Sequence, residues 1–467
     1  MTNVQSRFLT TVACTCKEFQ HPWTDRCVDA LAGIILASTP YSLRLYTVVY
    51  ALSLVMRHRI PTMNDLKNTI KGIVQSSCFL ITNSFSFILY NCILRQMIGY
   101  YTPGTVAFLP AFLASLTAIV VERPARRPLL ALYVANVATE SLWSMAESRG
   151  LVQSLPYGQT AIFGVSVSIL LYLYRLGLHK SICRDSLFNI LGIFVGKSEA
   201  GPIPKSADVD SDDEENVVQQ PVRSRPPLDF SSISGLVQIY GRFINGLKEK
   251  HDACPHQEPC MQYAVLGGLK PFLGGVTLQV VLKLLLNIKK IAQMKMNWRK
   301  TIFNKSTLKL GIFLGSFSLL YKTVTCFLRY GFGCDDPLFA IPAGLVSSIA
   351  FSQYPDITVA LYVMWKMFQV TYNIGIHKRW LPNIPGFTIF LYCFSTATLF
   401  HAALIEPNNL RLSYYKFLQA LSGGRLGHFN YGLLDVFGLN TSRSTNEVLR
   451  KLNMIPKTKL PRFALAS

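Results

Sequence analysis

The sequence predicts an all-α, polytopic membrane protein with two tandem homologous helical halves and about ten membrane-associated helices. Three observations predict it. Half of the residues are hydrophobic and 15% are charged, where a soluble chain carries about a quarter. The apolar residues run in blocks long enough to cross a bilayer. An ordered series of segments in the first half recurs in the second at offsets between 228 and 235 residues.

Residues 1–27 form a polar segment holding Cys14, Cys16, His21 and Cys27. The first membrane repeat spans 28–197. Its apolar blocks are 28–56 (interrupted by Pro40), 73–99, 104–121 (with Pro110), 128–145 and 158–177, and Ser186 to Gly196 reads as an amphipathic interfacial piece. Residues 198–228 change character. An acidic run from Asp208 to Glu215, set among Pro, Ser and Gln, predicts a solvated, disordered linker. Residues 229–260 connect to the second repeat and carry His251, Cys254, His256 and Cys260. The second repeat spans 261–425, and residues 426–467 form a tail.

The recurrence is specific in order and spacing. Ser316-Phe317-Ser318 repeats Ser84-Phe85-Ser86, and Pro342-Ala343 follows Phe317 at the same distance as Pro110-Ala111 follows Phe85. Ala360-Leu361-Tyr362-Val363 repeats Ala131-Leu132-Tyr133-Val134, and Pro385 opens the last span as Pro156 opens its counterpart. Such repeats pack about a pseudo-two-fold axis, which places a functional path between them. The strongly basic loops 57–71 and 288–309 occupy equivalent repeat positions, and charge bias puts them on the same side of the membrane. That requires an even number of crossings per half and makes the short Pro110 and Pro342 blocks the re-entrant candidates.

The formal charge of +21 sits in short loops between apolar blocks, where anionic headgroups attract it. No soluble basic face with interleaved aromatics is present, so nucleic-acid binding is not expected. No secretory signal pattern opens the chain. Eleven cysteines, several inside apolar runs, argue against an extracellular disulfide framework.

Cys14, Cys16, His21 and Cys27, and separately His251, Cys254, His256 and Cys260, offer ligands for structural zinc. Their spacings are irregular, and structural thiols or a pairing between the clusters remain alternatives. The stretch from Gly315 to Gly344 supplies a helix-hairpin clamp. Arg329 can pair with Asp335 or Asp336 across a tight turn, and small residues (Gly315, Ala343, Gly344) let helices close. Arg95, at the equivalent place in the first repeat, has no acid in its own turn. Glu140, Lys283, Lys322, Lys366 and His401 lie inside apolar blocks; Glu140 and Lys322 are the leading candidates for a polar path, while Lys283 and Lys366 suit snorkelling. Ser211 precedes four acidic residues, a context for phosphorylation. Nucleophile elbows, P-loops and dinucleotide fingerprints are absent, so no catalytic residues and no cofactor beyond structural zinc are expected.

Several motifs resemble the transmembrane protein 135 family: the His21-Pro22-Trp23…Cys27 opening, Phe327-Leu328-Arg329, Ser413-Tyr414-Tyr415-Lys416-Phe417-Leu418, and Leu434-Asp435-Val436-Phe437-Gly438. The resemblance implies a non-enzymatic multi-pass protein of mitochondrial and peroxisomal membranes. It implies a role in mitochondrial fission and fusion balance and in peroxisomal and lipid homeostasis, with a dynamin-related fission GTPase as partner. More loosely, Gly315, Arg329, Asp336, Ala343 and Gly344 resemble the motif of the preprotein and amino-acid transporter superfamily. Here Ser318 stands for its aromatic, and six residues rather than three separate Arg329 from Asp336. The residues themselves also fit a solute or lipid carrier; a metal-dependent membrane enzyme is the third class. Oligomeric state is left open.

Overall fold

Helix boundaries follow local chemistry. Thr15 and Thr62 each close a capping box, with Glu18 and Asp65, satisfying two orphan N–H groups at a helix start. These open α1 (Cys16–Phe19) and α3 (Met63–Ile98); α2 (Cys27–Val55) lies between them and tolerates Pro40 in its interior. Gly99 ends α3 at φ 86°, a left-handed position that suits glycine, and its N–H returns to the Arg95 carbonyl. A π turn at Gly104–Phe108 runs straight into α4 (Leu109–Val121), so the Pro110 block forms one 18-residue helical run. Then come α5 (Arg127–Ser148), α6 (Gly158–Arg175) and the short α7 (Ser186–Val195).

The second half supplies α8 (Cys260–Leu286), α9 (Lys305–Phe332), the short α10 (Ala340–Ser347) continuing as a 3-10 turn to Gln353, α11 (Ile357–His377) and α12 (Phe387–Ile405). Asp356 caps α11 by accepting from Thr358 and Val359 N–H. Two further helices, α13 (Leu412–Leu421) and α14 (Thr441–Lys451), follow. This computed structural model describes residues 10–55, 62–178, 186–196, 199–201, 250–286 and 304–454. Ser211 with its acidic run, residues 229–249, most of the 288–309 loop, Arg57 and Arg59, and the end of the tail lie outside them.

Among the described residues the fold is all-helical, and five helical runs are long and apolar enough to cross a membrane: Met63–Ile98, Gly104–Val121, Cys260–Leu284, Thr307–Phe332 and Phe387–Ile405. A polytopic helical membrane protein fits. The run Cys260–Leu284 is only 22% buried, and its outward residues include Met261, Val265, Leu269 and Leu273, the apolar surface that lipid tails would cover. The Pro110 segment is long enough to cross, whereas the Pro342 segment is broken into α10 and its 3-10 extension.

The helices sort into two units, Met1–Ser154 with Ile384–Ser467, and Leu155–Asn383. In the first, α2 packs on α3, α3 on α4, and α12 on both α4 and α5. Its core includes Phe19, Tyr101, Ile119, Leu399 and Tyr415. In the second, α8 packs on α9, α9 on α10, and α6 on both α10 and α11. Its core is led by Phe163, stacked on Phe351 at 4.3 Å. The last span of each sequence half thus belongs to the unit that holds the first four spans of the other half.

Glycine sets the α8–α9 approach. A Cβ on Gly315 would meet Phe272 Cβ at 2.8 Å and the Gly268 carbonyl at 3.0 Å. Gly315→Val is therefore expected to destabilise by about 1–3 kcal/mol, read as a lower melting temperature in detergent. Gly274→Val is the control, because nothing lies within 4 Å of that position; equal melting of the two variants would contradict the packing.

Candidate metal centres

Two Cys3His clusters stand out: Cys16, His21, Cys27 and Cys92 in the first unit, and Cys254, His256, Cys260 and Cys326 in the second. Within each, one ligand atom from every residue lies within 4.8 Å of the others. They are built alike. A cysteine and a histidine come from the segment before a long helix, the next cysteine is the first residue of that helix (Cys27 of α2, Cys260 of α8), and the fourth ligand comes from the C-terminal part of the following helix (Cys92 of α3, Cys326 of α9).

The distances are those of a four-coordinate metal. Cys16 Sγ lies 3.5 Å from Cys27 Sγ, and Cys27 Sγ lies 3.5 Å from His21 Nε2. In the second cluster Cys260 Sγ is 3.9 Å from Cys254 Sγ, and His256 Nε2 is 3.7 Å from Cys260 Sγ and 3.4 Å from Cys326 Sγ. Tetrahedral zinc with Zn–S of about 2.3 Å and Zn–N of about 2.0 Å separates its ligand atoms by roughly 3.5–3.8 Å. A disulfide would need about 2.05 Å, and the described cysteines form none.

The histidines are oriented for ligation. In both, Nε2 faces the thiols and Nδ1 sits by a backbone carbonyl, that of Thr24 at 3.2 Å for His21 and of Glu258 at 2.7 Å for His256. Such an outer-shell hydrogen bond selects the tautomer that leaves Nε2 free to bind. Burial pushes the His21 imidazole below its ordinary pKa, which favours the neutral, ligating form. These clusters could hold zinc, and four protein ligands leave no open position, as in structural sites.

Two residues offered as ligands by the sequence stand outside the cages. Cys14 is buried and its carbonyl accepts a hydrogen bond from Arg95, while burial pushes its thiol pKa up. Arg95, lacking an acid in its own turn, thus takes a backbone oxygen instead. His251 accepts from the Ala253 N–H at 3.3 Å, and its ring lies edge-on to Tyr330 at 5.2 Å. Cys92 and Cys326 take the vacant fourth places. A signal for them was present: Cys92-Ile93-Leu94-Arg95 and Cys326-Phe327-Leu328-Arg329 share a Cys-x-Leu-Arg pattern at the repeat offset.

Beside the second cage, Arg329 enters a buried ion network. It donates to both carboxylate oxygens of Glu199, at 2.9 and 2.5 Å, and to Asp335 at 2.9 Å. Arg175 donates to Glu199 at 2.9 Å and also pairs with Asp335. Arg329 and Glu199 are essentially inaccessible, at 1% and 0% exposure, a burial that charges sustain only when fully paired. Asp336 is not part of this network; it caps the Pro337–Phe339 turn by accepting from Leu338 N–H. Sequence reading named neither Glu199 nor Arg175. Ala343 is buried, and a Cβ on Gly344 would meet Ser168 Oγ at 2.6 Å, so these two residues let α10 close on α6.

Glu140 pairs with Arg411 within the first unit, an interaction that ties α5 to the start of α13. Lys322 is buried, its ammonium 4.4 Å from the centre of the Tyr263 ring. Lys283 donates to Thr307, Lys366 to Gln369, and His401 is half-buried, with its Nδ1 atom out of reach of solvent.

Residues 13–147 match the family model of the N-terminal cysteine-rich region of Transmembrane protein 135. Over that stretch the chain is similar to the transmembrane protein 135 family. The matched stretch contains all four ligands of the first cage, so the family's cysteine-rich region is, in this chain, where the first Cys3His cluster forms. No solved structure matches the chain.

Proposed function

We propose that this protein is a non-enzymatic multi-pass protein of mitochondrial and/or peroxisomal membranes that regulates mitochondrial fission and fusion balance and peroxisomal and lipid homeostasis, each unit being pinned by one structural zinc ion. The observation that carries the structural part is the pair of closed Cys3His cages. The organelle role, with a dynamin-related fission GTPase as partner, is supported by the similarity of residues 13–147 to the transmembrane protein 135 family. Internal duplication is supported by the same two facts of construction: matching cages and matching pairings of α6 and α12.

A second reading, a carrier, is favoured by one observation. Lys322 lines a cavity of ≈ 450 Å³ in the second unit, between Tyr263, Gly267 and His256.

The two readings separate in paired measurements. As a regulator, the protein should restore mitochondrial length in cells deprived of it even as Lys322→Met. As a carrier, it should conduct solute or lipid in liposomes and lose that flux on the same change. Wild-type flux abolished by Lys322→Met would overturn the regulator reading, and unchanged organelle morphology after loss and restoration of the protein would remove its basis.

A further inference from the structure

The cavity beside the second cage has the chemistry of an anion site. Its walls come from the end of α7 (Ile193, Gly196), the segment before α8 (Pro255 to Glu258), the first turns of α8, and Lys322 of α9. Lys322 is only 5% exposed. Its ammonium lies on the face of Tyr263, and among the described residues it takes no hydrogen-bond acceptor and no ion-pair partner.

A buried ammonium with three unspent N–H groups is unfavourable unless something in the cavity accepts them. The ring face offsets part of that cost but accepts no conventional hydrogen bond. Lys270 also lines the cavity, and among the described residues Glu258 is the one carboxylate on its wall. A zinc-loaded Cys3His cage would carry one net negative charge, which softens the field of Lys322 while leaving its N–H groups without an acceptor. On α8 the cavity is lined from Tyr263 to Lys270, the latter roughly 15 Å of helix rise from Cys260.

We propose that this cavity binds a phosphate group, with Lys322 as its principal ligand and Lys270 as a second cation at the wall. A phosphate offers several acceptor oxygens in one compact group, which suits a lysine point charge with three donors. The proposal names a ligand class for the pocket on which the carrier reading rests, but it concerns binding and stands whether or not anything is transported.

The test uses the full chain, equilibrated with phosphatidylcholine vesicles with and without phosphatidic acid, extracted gently and read by native mass spectrometry for retained lipid. Wild type is expected to retain phosphatidic acid, and Lys322→Met to bind it about tenfold more weakly, since a charge-assisted partner is lost. Lys322→Arg should retain binding. Gly267→Ala is the second variant: a Cβ there would overlap Lys322 Nζ, so the ammonium must shift, and retention should fall although no charge is removed.

Displacement of the lipid by inorganic phosphate would assign the site to phosphate groups in general. Failure to displace it would assign the site to lipid headgroups. Equal retention by wild type, Lys322→Met and Gly267→Ala, or no binding of either probe to wild type, would overturn the proposal. Helicity and elution volume, measured alongside, distinguish lost binding from lost fold, and a liposome flux assay on the same protein reports separately on the carrier reading.

Discussion

Cys92→Ser is expected to lower the zinc content of the purified protein from two ions per chain to one, and Cys326→Ser to do the same at the other cage. Each change removes the ligand that comes from the far end of the following long helix, α3 or α9. A serine hydroxyl is a poor substitute for a thiolate at zinc. Structural Cys/His sites bind with apparent free energies of about 10–16 kcal/mol, and much of that is folding energy, so losing a ligand should also loosen the segment that the cage holds. For the first cage that segment is residues 16–27, and cleavage there by added protease is expected to accelerate. Elemental analysis of detergent-purified protein reads the stoichiometry. Cobalt substitution gives a second readout, through thiolate charge-transfer bands that scale with the number of sulfur ligands. Cys14→Ser and His251→Ala should keep both ions, because those residues stand outside the cages. Two ions in Cys92→Ser, or none in wild type, would refute the assignment. Acidification should release the metal, since the thiolates must then take up protons.

Glu199→Gln is expected to cost about 3–5 kcal/mol of stability, the penalty of leaving buried charge unpaired. The carboxylate accepts from both Arg329 and Arg175, and Oε1 also receives the Tyr263 hydroxyl at 3.3 Å. Neutralising it leaves two guanidinium groups to share Asp335, which is itself 32% exposed. The triple variant Arg175→Met, Arg329→Met, Glu199→Leu should be less destabilised than Glu199→Gln alone, because apolar replacement removes the desolvated charges together. Thermal unfolding in detergent compares the two. A Glu199→Gln protein that melts with wild type would show the network to be energetically idle. Arg329 donates to both carboxylate oxygens of Glu199 and to Asp335, while Asp336 is engaged elsewhere.

The class of this protein was legible in its sequence, because a bilayer imposes helix length and apolar composition directly on the chain. Five runs such as Thr307–Phe332 and Phe387–Ile405 satisfy both requirements. Six of the eight cage ligands were legible too: Cys16, His21 and Cys27, with Cys254, His256 and Cys260, cluster in short polar segments where soft ligands are conspicuous. The fourth ligands were not singled out. Cys92 and Cys326 sit inside apolar helices, where a cysteine ordinarily reads as a small hydrophobe.

Only the tertiary structure decided their role. The long helices pack as antiparallel pairs, α2 with α3 and α8 with α9, which brings the end of the second helix beside the start of the first. Cys92 thereby meets Cys27, and Cys326 meets Cys260. The same geometry excludes Cys14 and His251, near in sequence but outside the cages. Glu199 was hidden for a related reason. It lies at the edge of a polar linker, in a context that predicts solvation, and only the return of the chain after α7 carries it under Arg175 and Arg329. Sequence alone determined that the chain is rich in long apolar helical segments and where soft ligands are dense; the folding of distant helix ends onto one another determined which of those residues meet.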